Sequence, residues 1–195
     1  MKRVLALALG VGLVLLARGW LANAGSIPDG QPGLVEVHDL DGLRAAFNRE
    51  SAKTRVVIVL SAACPYCLKG ASSIQQVFDR HRDAPLVAFV VWQPILPADW
   101  GKPRTGPLHR LSDTRVQQFW DADHRVAGAL KASFEHREQQ PQCCDQNGIW
   151  WDFMAAFPPG GEWHDRFPEP ALLGGTVDDV AAEFEALLVK LAQAR

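Results

Sequence analysis

The sequence predicts an α/β protein of three α/β/α layers, with a central mixed sheet between helices. Continuous apolar and β-branched runs at 55–60 and 85–92 are typical of strands that are buried on both faces, as in parallel sheets. The segment 65–81, which lies between them, has apolar residues at three- and four-residue spacing and predicts an amphipathic helix. Because strands alternate with helices here, we expect right-handed crossovers and a parallel core.

The remaining elements follow from the same two periodicities and from the turn residues between them. We predict strands at 34–37, 149–157 and 171–173, and helices at 43–50, from Ser112 or Asp113 through Trp120, from Asp121 or Asp123 toward Ala132, and from Thr176 through Leu191. The last two strands are expected to form a hairpin, which the final helix covers.

The first 24 residues have the layout of a secretory signal peptide and are not expected to belong to the fold. Lys2 and Arg3 precede an apolar run of 14 residues, which is shorter than the about 20 residues of a spanning helix. A small-x-small pattern ends at Ala24. We therefore expect cleavage after Ala24 and a periplasmic or secreted domain at 25–195, with retention as an uncleaved membrane anchor as the alternative.

The predicted mature chain is acidic. Removal of the signal peptide lowers the count of Lys and Arg from 20 to 17 against 22 Asp and Glu, so the net charge is about −5. No basic block stands out, which argues against a nucleic-acid-binding function. The 171 residues that remain are expected to form one domain.

The motif Cys64-Pro65-Tyr66-Cys67 lies between the strand 55–60 and the following helix. In an exported chain, such a pair beside a βα unit points to disulfide exchange. Pro65 suits the first helical position, and the free backbone N–H groups at the helix start favour the thiolate form of Cys64. Cys67 lies one turn further on, within disulfide reach. We expect Cys64 to be the nucleophile and Cys67 the resolving thiol, with no organic cofactor.

This element order, with the motif after the second strand, resembles the thioredoxin-like fold, and many glutaredoxins carry the same Pro-Tyr dipeptide. The resemblance implies a thiol–disulfide oxidoreductase. Its partners would be thiols or disulfides of other proteins, together with a redox partner, membrane-bound or not, that regenerates it.

The sequence departs from thioredoxin at three positions around the motif. Ala63 replaces the usual Trp before the first cysteine, and Ile58 stands where thioredoxins bury an acid that assists proton transfer. No proline directly precedes the strand 149–157, where the family sets a cis-proline opposite the dithiol. Gly148 is there instead, and Pro170 is the other candidate for the cis-proline. Asp152 is a candidate for the missing acid.

Two further cysteines, Cys143 and Cys144, are adjacent and precede the strand 149–157. A disulfide between adjacent residues closes a strained ring, so we do not expect the pair to be joined. In a thioredoxin-like fold this loop passes beside the dithiol, and the pair can relay electrons to Cys64 and Cys67. Alternatively, all four sulfurs bind a soft ion such as Cu(I), Zn or Hg(II), which defines a metal-binding protein. A surface loop with two free or intermolecular thiols is the third possibility for this pair. For the protein as a whole, a thioredoxin-like interaction module with an incidental disulfide is the third class.

Overall fold

The computed structural model describes residues 33–99, 101–136 and 144–193, so the predicted signal peptide and Cys143 lie outside the described residues. The strands are β1 (Val35–Glu36), β2 (Thr54–Leu60), β3 (Leu86–Trp92), β4 (Val116–Trp120), β5 (Asp145–Gln146), β6 (Ile149–Trp150), β7 (Phe153–Phe157) and β8 (Leu172–Gly174). The helices are α1 (Asp41–Arg49), α2 (Pro65–Arg80), α3 (Thr105–Leu108), α4 (Arg125–Phe134) and α5 (Val177–Gln193).

Six strands form one mixed sheet in the order β1-β4-β3-β2-β7-β8. Neighbouring strands from β1 to β2 in this order are parallel. β7 runs antiparallel to β2, and β8 runs antiparallel to β7. The predicted mixed sheet is therefore confirmed, with a parallel half built by crossovers and an antiparallel half built by the hairpin.

The side chains of β2 show why helices cover both faces of this sheet. Successive residues of a strand point to opposite faces. Val56 and Ile58 pack in one hydrophobic cluster with α2 and α5, whereas Val57 and Val59 pack in another with α1 and α4. The fold is thus the predicted three-layer, thioredoxin-like architecture, in which α2 directly follows the central strand β2.

One predicted helix is a strand. The segment from Ser112 or Asp113 through Trp120 was expected to be helical, but it contains β4, which pairs in parallel with β1 and β3. A short apolar run has no decisive period, and the sheet contacts on both sides of β4 decide its conformation. The next helix, α4, begins at Arg125 after His124, later than the expected restart at Asp121 or Asp123. Asp121 nevertheless contacts its first turn, since it accepts a hydrogen bond from the Val126 N–H at 2.8 Å.

The predicted strand 149–157 is also interrupted. β6 pairs with β5 in a separate two-stranded ribbon, and β7 begins after Asp152. Asp152 has a φ of 47°, in the left-handed region that ends regular strand geometry. The interruption turns the chain at the edge of the sheet where α2 begins.

The final helix begins as predicted. The Thr176 hydroxyl accepts a hydrogen bond from the backbone N–H of Asp179 at 3.4 Å, and α5 continues to Gln193. Among the helices that the structure describes, none combines the length and the apolar character needed to cross a membrane.

Candidate active site

The dithiol lies at the junction between β2 and α2. Cys64 is the N-cap residue of α2 with an extended backbone, and Pro65 follows it in the first turn. The Cys64 sulfur accepts a hydrogen bond from the backbone N–H of Cys67 at 3.3 Å. The predicted contact between this sulfur and the free N–H groups of the helix start is therefore present, and such contacts favour a thiolate.

The two cysteines differ in access to solvent. Both are free thiols, but Cys64 is 2% exposed and Cys67 is fully buried. Tyr66, between them, is 71% exposed. Of the two cysteines, only Cys64 retains any exposed surface, so it is the more accessible to a partner sulfur.

Cys67 lies in surroundings that oppose its ionisation. Burial raises the pKa of the Cys67 thiol, and the negative charge of Asp152 raises it further. The backbone N–H of Ser61 donates a hydrogen bond to the Cys67 sulfur at 3.4 Å and acts in the opposite direction. Cys67 is consequently held as a thiol.

Asp152 is the acidic side chain that the structure brings to the dithiol. It is 1% exposed, and one of its carboxylate oxygens and the sulfurs of Cys64 and Cys67 all lie within 4.8 Å of one another. Burial raises the pKa of Asp152, whereas a hydrogen bond from the Val177 N–H to its Oδ1, at 3.1 Å, lowers it. The turn between β6 and β7 places the Asp152 carboxylate beside the dithiol and beside the Val177 N–H.

Asp152 also occupies the place that the sequence prediction reserved for a proline, directly before the strand that pairs with β2. The prediction put Gly148 there, because it did not foresee the break in that strand. Within the described ranges the one cis peptide is Gly175–Thr176, so Pro170 does not supply a cis-proline either.

A second acidic residue, Asp99, fastens the segment before Cys64 and was missed by the sequence prediction. Its carboxylate accepts hydrogen bonds from the Ser61 hydroxyl at 2.7 Å and from the Ala63 N–H at 2.9 Å. It also accepts from the N–H groups of Ile95 at 3.0 Å and Leu96 at 2.9 Å. An aspartate in a proline-rich loop is a weak signal, and nothing in the sequence connects it to a segment that lies 36 residues earlier.

The second cysteine pair is only partly described. Cys144 is disulfide-bonded, which the expectation of unjoined thiols did not foresee, and its partner is neither Cys64 nor Cys67 because both are free. Its carbonyl accepts a hydrogen bond from the Trp151 N–H at 3.1 Å, beside Asp152. In the described part of the chain, the group with metal-ligand geometry comprises Cys64, Cys67 and Asp152, without Cys144. The four-sulfur metal site is therefore not favoured.

Comparison with protein-family models gives no match, and comparison with curated proteins gives none either. Solved structures with a similar arrangement include the thioredoxin domain of a thiol-disulfide oxidoreductase from Bacteroides vulgatus. It has 14% identity and a TM-score of 0.40, and the match covers 70% of this chain and 82% of that one.

Two further matches are of the same kind. A thioredoxin-like protein in the oxidized form has 16% identity and a TM-score of 0.44, over 71% of this chain and 78% of that one. A secreted disulfide oxidoreductase from Mycobacterium tuberculosis has 14% identity and a TM-score of 0.37, over 73% of this chain and 85% of that one. The thioredoxin-like fold of this chain is assigned from its own strand order and from the position of the Cys64–Cys67 pair.

Proposed function

We propose that this protein is a thiol–disulfide oxidoreductase that exchanges disulfides with other proteins through Cys64 and Cys67. The observation that carries the proposal is the position of the Cys64 sulfur, which caps α2, accepts the Cys67 N–H and lies next to a second free thiol. A pair of cysteines in a four-residue loop adds little stability as a disulfide, about 2 kcal/mol, and its value is therefore chemical.

The exchange takes place in two steps. The Cys64 thiolate attacks a partner disulfide, so that a mixed disulfide forms and one partner sulfur leaves as a thiolate. Cys67 then loses its proton and attacks the Cys64 sulfur, which forms the Cys64–Cys67 disulfide and releases the second partner sulfur. The partner gains two electrons and the protein loses two, and a separate redox partner must return them.

The direction of electron flow depends on how far the thiolate of Cys64 is stabilised. A dithiol is a strong oxidant when its reduced form is stabilised, and a stable thiolate is the usual cause. The N–H contact at the Cys64 sulfur acts in that direction, whereas burial and the charge of Asp152 keep Cys67 a thiol. The reduction potential of the Cys64–Cys67 couple, measured against glutathione, decides between about −270 mV, for a reductase, and about −120 mV, for an oxidant.

Export of the protein is part of the same proposal. The segment 1–24 has the layout of a cleavable signal peptide, and protein disulfides persist outside the cytosol. Expression of the full chain in a bacterium, followed by mass spectrometry of the secreted or periplasmic fraction, is expected to show a protein that begins at Gly25. A chain that keeps residues 1–24 would contradict cleavage.

Reduction of insulin disulfides with dithiothreitol as electron donor tests the activity. Wild type is expected to accelerate precipitation of the insulin B chain, and Cys64→Ser is expected to lose the acceleration. Cys67→Ser is expected to accumulate a mixed disulfide at Cys64, visible by mass spectrometry. Cys144→Ser is the control, because dithiothreitol can regenerate Cys64 and Cys67 directly. Equal rates for wild type and Cys64→Ser would refute the proposal.

The relay role of Cys143 and Cys144 stays a prediction, supported by the hydrogen bond that ties Cys144 to Trp151 next to Asp152. If the second pair passes electrons to the first, a fully reduced wild-type chain reduces two disulfides of an excess protein substrate, whereas Cys144→Ser reduces one. Quantifying the thiols released in this single turnover distinguishes the cases. One disulfide per wild-type chain would contradict the relay.

A further inference from the structure

We propose that Asp152 accepts the proton of the Cys67 thiol when Cys67 resolves the mixed disulfide. The inference rests on the proposed function and assigns a role that neither cysteine can fill. Cys67 is fully buried, so water has no direct access to its proton. A group within the protein has to take that proton at the moment of attack.

Asp152 has the geometry for this role. One of its carboxylate oxygens lies within 4.8 Å of the Cys67 sulfur and within 4.8 Å of the Cys64 sulfur, on which Cys67 acts. Position 58 in the middle of β2 is an isoleucine, so no carboxylate is available there. Asp152 reaches the dithiol from the turn before β7.

The surroundings hold the carboxylate in place without neutralising it. The backbone N–H of Val177, the first residue of α5, donates to Asp152 Oδ1 at 3.1 Å and so fixes the orientation of the carboxylate. The titratable groups that face it are Cys64 and Cys67 of α2 and the carboxylates of Asp178 and Asp179 of α5. Among the described residues that face it, no cation competes for its charge.

The step is balanced without any further reagent. The Cys67 proton moves to the Asp152 carboxylate, and the resulting thiolate attacks the Cys64 sulfur of the mixed disulfide. The Cys64–Cys67 bond forms, the bond from Cys64 to the partner breaks, and the partner sulfur leaves with the electron pair. The proton on Asp152 then passes to the departing thiolate, which returns Asp152 to its ionised form.

A purely electrostatic role for Asp152 predicts the opposite result. A negative charge beside Cys67 disfavours its thiolate, so an uncharged side chain would then make Cys67 more reactive. Asp152→Asn separates the two roles, since asparagine keeps an oxygen for the Val177 N–H but cannot accept the proton. Asp178→Asn is the matched control, because it removes a neighbouring carboxylate that pairs with Lys69 at 2.6 Å outside the dithiol.

Reaction of the reduced protein with excess Ellman's reagent in a stopped-flow instrument resolves the two sulfur steps. Attack by Cys64 releases the first chromophore at a rate that depends on reagent concentration. Attack by Cys67 on the adduct releases the second at a rate that does not. Cys67→Ser, which lacks the second release, identifies the phases.

We expect Asp152→Asn to slow the second phase by about 100-fold, the lower end of the contribution of a positioned base, and to leave the first phase within about threefold of wild type. Asp178→Asn is expected to leave both phases within about threefold. A second phase that is unchanged or faster in Asp152→Asn would overturn the inference.

The pH dependence of wild type gives an independent test, which is needed if Asp152→Asn does not fold. With Asp152 as base, the second-phase rate rises as Asp152 loses its proton and then reaches a plateau. A rate that instead rises in proportion to hydroxide over the whole range would overturn the inference. Insulin reduction by wild type is measured in parallel, because inactive wild type refutes the proposed function, whereas active wild type with an unaffected second phase refutes only the role of Asp152.

Discussion

Replacement of Asp99 is expected to destabilise the protein by more than replacement of an exposed carboxylate would. The Asp99 carboxylate accepts four hydrogen bonds, two from the Ser61–Ala63 segment and two from the loop that Asp99 itself closes. A hydrogen bond to a charged group contributes about 1.5–3 kcal/mol. The four are not additive, and the site is only partly buried, so water can satisfy some donors after the carboxylate is lost.

From these bonds we expect Asp99→Ala to lower the free energy of unfolding by about 3–5 kcal/mol, near the upper end of single substitutions. Asp99→Asn is expected to cost about 2 kcal/mol. Its oxygen can replace Oδ2, which accepts three of the bonds, but its NH2 group then faces the Ala63 N–H, which Oδ1 accepts in wild type. The order of the two variants is thus part of the prediction.

Urea unfolding followed by tryptophan fluorescence measures these free energies. Asp79→Ala is the control, because Asp79 is exposed and accepts one side-chain hydrogen bond, from Gln75 at 3.1 Å, so a change within about 0.5 kcal/mol is expected. Because Asp99 holds the chain just before Cys64, Asp99→Ala is also expected to slow the attack of Cys64 on Ellman's reagent by about tenfold. An Asp99→Ala variant within 0.5 kcal/mol of wild type would refute the reasoning.

Further predictions concern the packing of α2 against α5. The hydrogen bonds of Glu185 with Arg80, and secondarily with His81, lower the pKa of Glu185 from 4.5 to about 2. This pairing therefore stabilises the fold at pH values above the ordinary pKa, and its contribution is lost as the pH falls toward 2. Glu185→Gln is therefore expected to lower the melting temperature at neutral pH, with the difference from wild type vanishing toward pH 2; a pH-independent difference would contradict it. Gly70→Ala is expected to cost about 1–3 kcal/mol in urea unfolding, because the added Cβ would lie 2.8 Å from a valine side chain of α5. Gly128→Ala in α4, where an added Cβ meets nothing within 4 Å, is expected to stabilise the protein by up to about 1 kcal/mol. If both alanine variants changed the free energy of unfolding in the same direction, the close contact at Gly70 would be contradicted.

The parts of the fold that the sequence predicts are those whose signals are local. β2 and β3 are continuous apolar runs, and α2 carries its own start signal in Cys64 and Pro65. β4 has no comparable signal, since five residues fit a helix turn and a strand equally well. It is a strand because Val116 to Trp120 find open partners on β3 and β1, which is a property of the assembled sheet.

The residues of the candidate site also differ in whether a local sequence signal identifies them. Cys64 and Cys67 are recognisable because their spacing and position carry the chemistry. Asp99 is not, because its role depends on contacts between segments that are far apart in the chain. Asp152 could be named only as a candidate for the missing acid, because the contact that brings it to the dithiol is also between distant segments. The break before β7 is one such case, where Gln93 donates to the Trp150 carbonyl at 2.9 Å. A pattern of residues in one segment contains no information about such a contact.

The position of the acid in the turn before β7, rather than in the middle of β2, has a physical consequence. At position 58 a carboxylate would lie in the apolar layer between the sheet and α2 and α5, where a charge has no partner. At position 152 it meets the first N–H of α5, and the positive end of a helix favours the charged form. Burial acts against this and raises the pKa of Asp152. A carboxylate whose pKa is raised takes a proton from a neighbouring thiol more readily than an ordinary carboxylate does, which suits Asp152 to the proposed role of proton acceptor.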